Sequence, residues 1–176
     1  LRDNVLLRAD GGIKIGRDVV IAALLGADEF GIGTMSLVAM GCIMVRQCHS
    51  NTCPVGVCTQ DDALRKKFTG TPEKVVNLFS FIAEEVREIL AFLGFRTLDE
   101  IIGRTDLLTQ VRRGNPHLDD LDLNPLLVQA DPGGINRSET RGMRNEVPDS
   151  LDAQMIKDAA PALEGGEKMQ LAYNIR

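Results

Sequence analysis

Four cysteines, Cys42, Cys48, Cys53 and Cys58, fall inside one eighteen-residue stretch from Gly41 to Cys58, and none lies elsewhere in the chain. The first three are spaced Cys-x5-Cys-x4-Cys, and Pro54 follows the third. Clustered thiols can hold zinc, hold an iron–sulfur cluster, pair as disulfides or remain inert. Zinc sites favour Cys-x2-4-Cys pairs, and no Cys-x2-Cys is present. His49 is adjacent to Cys48, where sharing one ion is awkward. Thiolates in a loop rich in glycine and proline suit iron, which Cys sulfur ligates in iron–sulfur clusters. The spacing matches neither common ferredoxin run. Spacing therefore favours a cluster and leaves zinc and inert thiols open beside it.

A second chemistry precedes the cysteines. Asp10-Gly11-Gly12 breaks the strand-like run Val5–Ala9, and Gly31-x-Gly33-Thr34 follows a second strand-like run. Glycines at such turns let backbone N–H groups approach a phosphate, and a following helix N-terminus adds a favourable field. Two turns of this kind after consecutive strands match the phosphate site of (β/α)8 barrels, formed after strands seven and eight. The alternative is that they are simply turn glycines. Neither is a Walker A loop, because the Gly-Lys-Ser/Thr ending is missing. Asp119, Asp120 and Asp122 are read as a solvated face, since the rest of a calcium loop is absent. Arg104-Thr105-Asp106 is read as a local polar turn.

The elements that must position these groups follow from periodicity. Val5–Ala9 reads as a strand, 17–25 as a helix stopped by Gly26, 29–32 as a second strand, and 35–40 as a further apolar run. Strand, helix, strand points to an α/β fold with a parallel sheet or barrel. Thr71-Pro72-Glu73 marks a helix start. Val75, Leu78, Phe79, Ile82, Val86, Ile89, Leu90 and Leu93 form its core stripe. Glu84, Glu85, Arg87 and Glu88 occupy the other face, and Gly94 ends it. Thr97-x-x-Glu100 reads as a capping box for a short helix ending at Gly103. Apolar periodicity fades after Gly114. The stretch 131–149 reads as an extended connection and 150–160 as a short helix. Gly165-Gly166 turns into a final strand.

The chain has 176 residues and a formal charge of −5. No basic stripe points to nucleic acid, no apolar run approaches membrane-spanning length, and no signal peptide opens the chain. Confinement of the thiols to one loop favours a reduced, cytoplasmic setting. The strand-like segments at both ends lead us to expect a piece of a larger protein with part of its core elsewhere.

Ala9–Ala27 with Glu29–Thr34 resembles the end of the flavin-binding barrel of the glutamate synthase family. Met40–Val57 resembles that family's cluster loop. Glu84–Arg87 and Ile102–Leu108 continue the likeness, and Gly166–Asn174 resembles the start of the family's β-helix domain. The resemblance covers essentially the whole chain and implies an α/β fold in four parts. The last βα units of a (β/α)8 FMN-binding barrel occupy 1–40. The iron–sulfur loop and its supporting helices occupy 41–113, an extended connection 114–165, and the first strand of the β-helix domain 166–176.

The resemblance further implies a cytoplasmic amidotransferase-oxidoreductase. Glutamine is hydrolysed in a separate domain, and its ammonia is joined reductively to 2-oxoglutarate at FMN. A [3Fe–4S] cluster on Cys42, Cys48 and Cys53 relays electrons. Asp10, Gly11, Gly12, Lys14, Gly31, Gly33 and Thr34 belong to the FMN site. NADPH enters through a small flavoprotein subunit carrying FAD and further iron–sulfur clusters. No catalytic side chain is assigned to this stretch. Two departures stand out: Cys58, where many relatives have a small residue and which is read as a buried free thiol, and Ile15, where Thr is common. The competing readings are a related FMN-dependent barrel with another substrate, and a zinc-binding interaction module.

Overall fold

The computed structural model describes residues 2–129, 137 and 150–174. The chain divides into a unit of residues 1–141 and a second of 142–176.

In the first unit, strands β1 (Arg8–Asp10) and β2 (Glu29–Gly31) flank helix α1 (Gly16–Leu24). The strands pair in parallel, with Arg8 opposite Glu29, Ala9 opposite Phe30 and Asp10 opposite Gly31. This is the expected βαβ unit, but β1 starts three residues later than the Val5–Ala9 run predicts. Asp28 is the cause. Its carboxylate accepts from the Leu7 amide at 2.8 Å and from Arg2 at 2.8 Å, so the Leu7 amide bonds a side chain, while the Leu7 carbonyl still accepts from the Asp28 and Glu29 amides at 2.8 and 3.1 Å.

Helix α2 (Gly33–Ala39) takes in most of the apolar run left unassigned above, and Gly33-Thr34 forms its first turn. A loop carrying all four cysteines leads to α3 (Asp62–Arg65), capped by Asp61 through the Leu64 amide at 2.9 Å. Helix α4 (Pro72–Leu93) has the predicted limits, with Pro in the first turn and Gly94 in the left-handed cap at φ +84°. Its predicted N-cap works differently. Thr71 makes no side-chain bond to the helix backbone, and its hydroxyl instead helps hold the Glu73 carboxyl below its ordinary range.

The core lies between α1 and α4. Ile13, Val19, Val20, Ala23 and Leu24 pack against Ile82, Val86 and Leu90, and Ile101 and Ile102 close the end. Each Ile, Val and Leu among these contributes roughly 1.5–3 kcal/mol on burial. At the crossing a Cβ on Gly16 would stand 2.8 Å from Glu85 Cβ, the Ile82 carbonyl and the Val86 amide, so this approach requires glycine. The predicted stripe is buried through its middle, whereas Phe79 at its N-terminal end is exposed.

The capping box at Thr97 is not formed. Glu100 reaches back to the Arg96 amide at 3.2 Å, and the segment makes a single 3-10 turn, Asp99–Ile101, in place of a helix. The Arg104–Asp106 turn forms as expected, with two guanidinium–carboxylate bonds of 2.8 Å, and Arg104 lies 5.7 Å from the centre of the Phe95 ring. Asp119 is a turn-maker: its carboxylate accepts from the Arg113 and Gly114 amides at 2.9 and 2.7 Å. It belongs to the short helix α5 (Pro116–Asp119).

In the second unit, α6 (Leu151–Asp158) starts where predicted, with Ser150 accepting from Ala153, and α7 (Ala160–Gly165) follows it. Gly166 makes the expected turn at φ +70°. Residues 167–174 form no strand with any described residue, and Tyr173 instead donates to Asp158 at 3.0 Å. A strand needs a neighbouring ladder. Most of the expected connection at 131–149 lies outside the described residues.

Candidate functional site: a cysteine loop beside two glycine turns

Because Asp10 and Gly31 are register partners, the parallel pairing sets the two glycine turns side by side at the C-terminal ends of β1 and β2. Asp10, Gly11, Gly12 and Lys14 lie on the first turn, and Gly31, Gly33 and Thr34 on the second. Gly11 and Gly12 have φ of +93° and +76°, which side-chain-bearing residues rarely adopt. A Cβ on Gly11, Gly12 or Gly33 would meet no atom within 4 Å, so backbone there is open to a ligand. Gly31 is different: its Cβ would stand 2.9 Å from Asp10 Cγ, so glycine there makes room for the Asp10 carboxylate.

The helix field expected beside Gly11–Gly12 is taken up by carboxylates. Asp18 accepts from the Lys14 and Ile15 amides at 2.9 and 3.2 Å, and Glu85 accepts from the Gly16 amide at 2.7 Å. Three amides at the start of α1 are thus bonded to anionic side chains of the protein itself. The start of α2 at Gly33 and Thr34 carries no side-chain cap. Residue types alone pointed to neither Asp18 nor Glu85 in this role. The visible signal was an acid at the third helical position. Glu85 was read as a solvent-facing charge on α4.

Helix α2 joins the glycine turns to the cysteines. Its seven residues rise about 10 Å, from Gly33 at one end to the Cys42 loop at the other. The Cys42 amide caps the end of the helix by donating to Leu37 O at 3.0 Å, with Gly41 at φ +97° turning the chain. Cys42, Cys48 and Cys53 then line one recess together with Ile43, Val45 and Pro54, and Cys58 does not line it. No three His, Cys, Asp or Glu side chains among the described residues gather as ligands of one metal ion. A single zinc draws its donors to about 2.0–2.3 Å of one centre.

Backbone amides of Cys58, then Val55, Val57 and Gly56, face Cys53 and hold its thiol below the ordinary range, although Cys53 is itself buried. The Met44 amide donates to Cys42 Sγ at 3.4 Å. Among the described residues, the non-glycine positions with positive φ are Met44, Arg46 and Asn51, all within this loop. Backbone of that kind collects at functional sites, where surrounding bonds over-determine it. Cys58 is exposed, contrary to the buried thiol expected, and donates to the Cys48 carbonyl at 3.2 Å.

A family model described as a conserved region in glutamate synthase matches residues 1–96. The chain belongs to the glutamate synthase family. It is 74% identical over 176 residues to a glutamate synthase [NADPH] large chain of Azospirillum brasilense, covering all of this chain and 12% of that one. It is 49% identical to the glutamate synthase [NADPH] large chain of Bacillus subtilis over 178 residues, 99% of this chain and 12% of the relative. A ferredoxin-dependent glutamate synthase 2 of Synechocystis is 66% identical over 108 residues, 61% of this chain and 7% of the relative. The chain thus spans about 12% of the length of the large chains it matches throughout. No described helix is long and apolar enough to cross a membrane.

Proposed function

We propose that this chain is the part of a glutamate synthase large chain where an iron–sulfur cluster meets FMN. The observation that carries the reading is the single recess shared by Cys42, Cys48 and Cys53 and not by Cys58, set one short helix away from two open glycine turns. When bound, a [3Fe–4S] cluster supplies one-electron transfer and FMN supplies reducing equivalents, so that ammonia from glutamine is joined reductively to 2-oxoglutarate to give glutamate. Cys42, Cys48 and Cys53 would each ligate one iron, while the amides at Val55–Cys58 and Met44 stabilise sulfur charge. The open backbone of Gly11, Gly12 and Gly33, with Thr34, would receive the FMN phosphate. Asp10 and Lys14 would stand beside the flavin, and Gly31 makes room for the Asp10 carboxylate. Ile43, Val45 and Pro54 form an apolar wall at the cysteines, which lowers the local dielectric.

The same reading makes 1–40 the last βα units of a (β/α)8 barrel and 166–176 the start of a β-helix domain. Hydrolysis of glutamine takes place elsewhere in the protein. The electron donor is NADPH, through a small flavoprotein subunit with FAD and further clusters, in the cytoplasm. Support for NADPH comes from the 74% identity, over the whole chain, to a relative named for it.

The test is Cys48→Ser in the full-length protein with its partner subunit. NADPH-driven glutamate formation is expected to be lost while glutamine hydrolysis continues. Unchanged synthesis in that variant would refute the assignment.

A further inference from the structure

We propose that Asn51, gripped by Thr59, is a positioning residue that sets the separation of Cys48 and Cys53 and so retains the cluster, an inference that rests on the cluster reading above. Asn51 lies between those two cysteines, at φ +60°. Asn tolerates this left-handed backbone better than most residues. Its carbonyl accepts from Thr59 Oγ1 at 2.8 Å, and its side-chain Oδ1 accepts from Thr59 Oγ1 at 3.1 Å and from the Gln60 amide at 2.6 Å. The chain between these partners is the turn that carries Cys53 and the amides facing its sulfur. A cross-link at residues 51 and 59–60 therefore closes that turn as a small ring. Cys58 adds a parallel bond to the Cys48 carbonyl at 3.2 Å.

The ring is anchored on its other side. Gly56 packs so tightly on α3 that a Cβ there would stand 2.5 Å from the Leu64 carbonyl. The Thr59 hydroxyl also accepts from the Asp61 amide at 3.1 Å, where α3 is capped. On the near side, Ser50 and Thr52 bond each other at 2.5 Å, and Ser50 bonds the Gln47 carbonyl at 2.9 Å. The loop has no regular secondary structure to hold three sulfurs apart, and these side-chain ties replace it. Asn51 is where the arm carrying Cys48 joins the arm that closes over Cys53. No atom of Asn51 or Thr59 lines the cysteine recess, so both act through the cysteines.

The experiment compares full-length wild type with Asn51→Gly, Thr59→Val and Thr59→Ser. Asn51→Gly keeps access to positive φ and removes the side-chain acceptor. Thr59→Val keeps shape and removes the hydroxyl, and Thr59→Ser restores it. The readouts are FMN content, to confirm folding, and cluster loss in air with an iron chelator, followed by cluster absorbance and by the electron paramagnetic resonance signal. Losing one or two neutral hydrogen bonds predicts cluster loss roughly tenfold faster in Asn51→Gly and Thr59→Val. It also predicts a broadened signal, while Thr59→Ser behaves as wild type. Wild-type rates and line shape in both Asn51→Gly and Thr59→Val would overturn the proposal, as would loss in Thr59→Ser as fast as in Thr59→Val. If Asn51→Gly is insoluble, the Thr59→Val and Thr59→Ser pair decides alone. A wild type lacking iron and sulfide would instead refute the cluster reading.

Discussion

Cys53 and Cys58 are five positions apart and do opposite things. Cys53 is buried, faces several amides and is drawn toward its thiolate. Cys58 is exposed and spends its proton on the Cys48 carbonyl. Cys58→Ala in the full-length protein should therefore keep its iron and sulfide and lose no more than about 1 kcal/mol of stability. Iron analysis checks this, and loss of the cluster would make Cys58 a ligand. Asp106 supports a pH prediction. The hydrogen bonds from Arg104, and then the Arg104 charge, hold its carboxyl below the ordinary range. A depressed carboxyl contributes stability that is complete above the unfolded value of about 3.9 and is lost as pH falls through the folded value. Amide exchange over residues 104–108, corrected for intrinsic rates, should accelerate below about pH 4 in wild type and much less in Asp106→Asn. Equal acceleration in both would refute it. That all four cysteines share one loop was legible in residue type and spacing alone, whereas the choice of Cys42, Cys48 and Cys53 came from the family resemblance. Asn51 was not legible, because its role depends on Thr59 and Gln60, which lie beyond the next cysteine and meet it only when the loop closes.

Helix α4 was legible to within a residue because its signals are local: Pro72 at the start, an apolar repeat through Leu90, and Gly94 at the end. The neighbouring box at Thr97 failed because the Glu100 carboxylate found the Arg96 amide instead, and one turn is too short to outweigh that bond. What α4 does for the site was hidden. Glu85 ties the α1 N-terminus, and Gly16 allows the two helices to touch. Gly16→Ala forces a Cβ into backbone at 2.8 Å and should cost about 1–3 kcal/mol. Glu85→Ala removes a partly buried charge-assisted bond and should cost a similar amount, about 1.5–3 kcal/mol. Thermal unfolding of the full-length protein measures both. A cost below about 0.5 kcal/mol for each would mean that the α1–α4 crossing does not set this part of the fold.

At the scale of the molecule, much apolar surface faces outward. Phe92 is 90% exposed and Phe81 74%, eleven positions and so about 20° apart on one side of α4, while Val76, 61% exposed, lies on its other flank. Single exposed apolar residues are ordinary, but large ones on both flanks of one helix are not. The 176-residue chain made alone should accordingly aggregate or bind a hydrophobic dye, and purify without FMN. Tight stoichiometric FMN binding by that piece would contradict this. The parallel βαβ start and helices α1, α4 and α6 were legible because each follows from a short-range pattern, whereas α2, α3 and α5 were not. The strand expected after Gly166 was not formed among the described residues, since a strand is defined by a partner and no sequence window contains one. The central claim is that this loop holds an iron–sulfur cluster next to a flavin. It is tested most directly by metal, sulfide and flavin analysis of the full-length protein. The account predicts iron and acid-labile sulfide near a 3:4 ratio from this loop, lost in Cys48→Ser, together with FMN. Zinc without sulfide, or iron unchanged in Cys48→Ser, would contradict it.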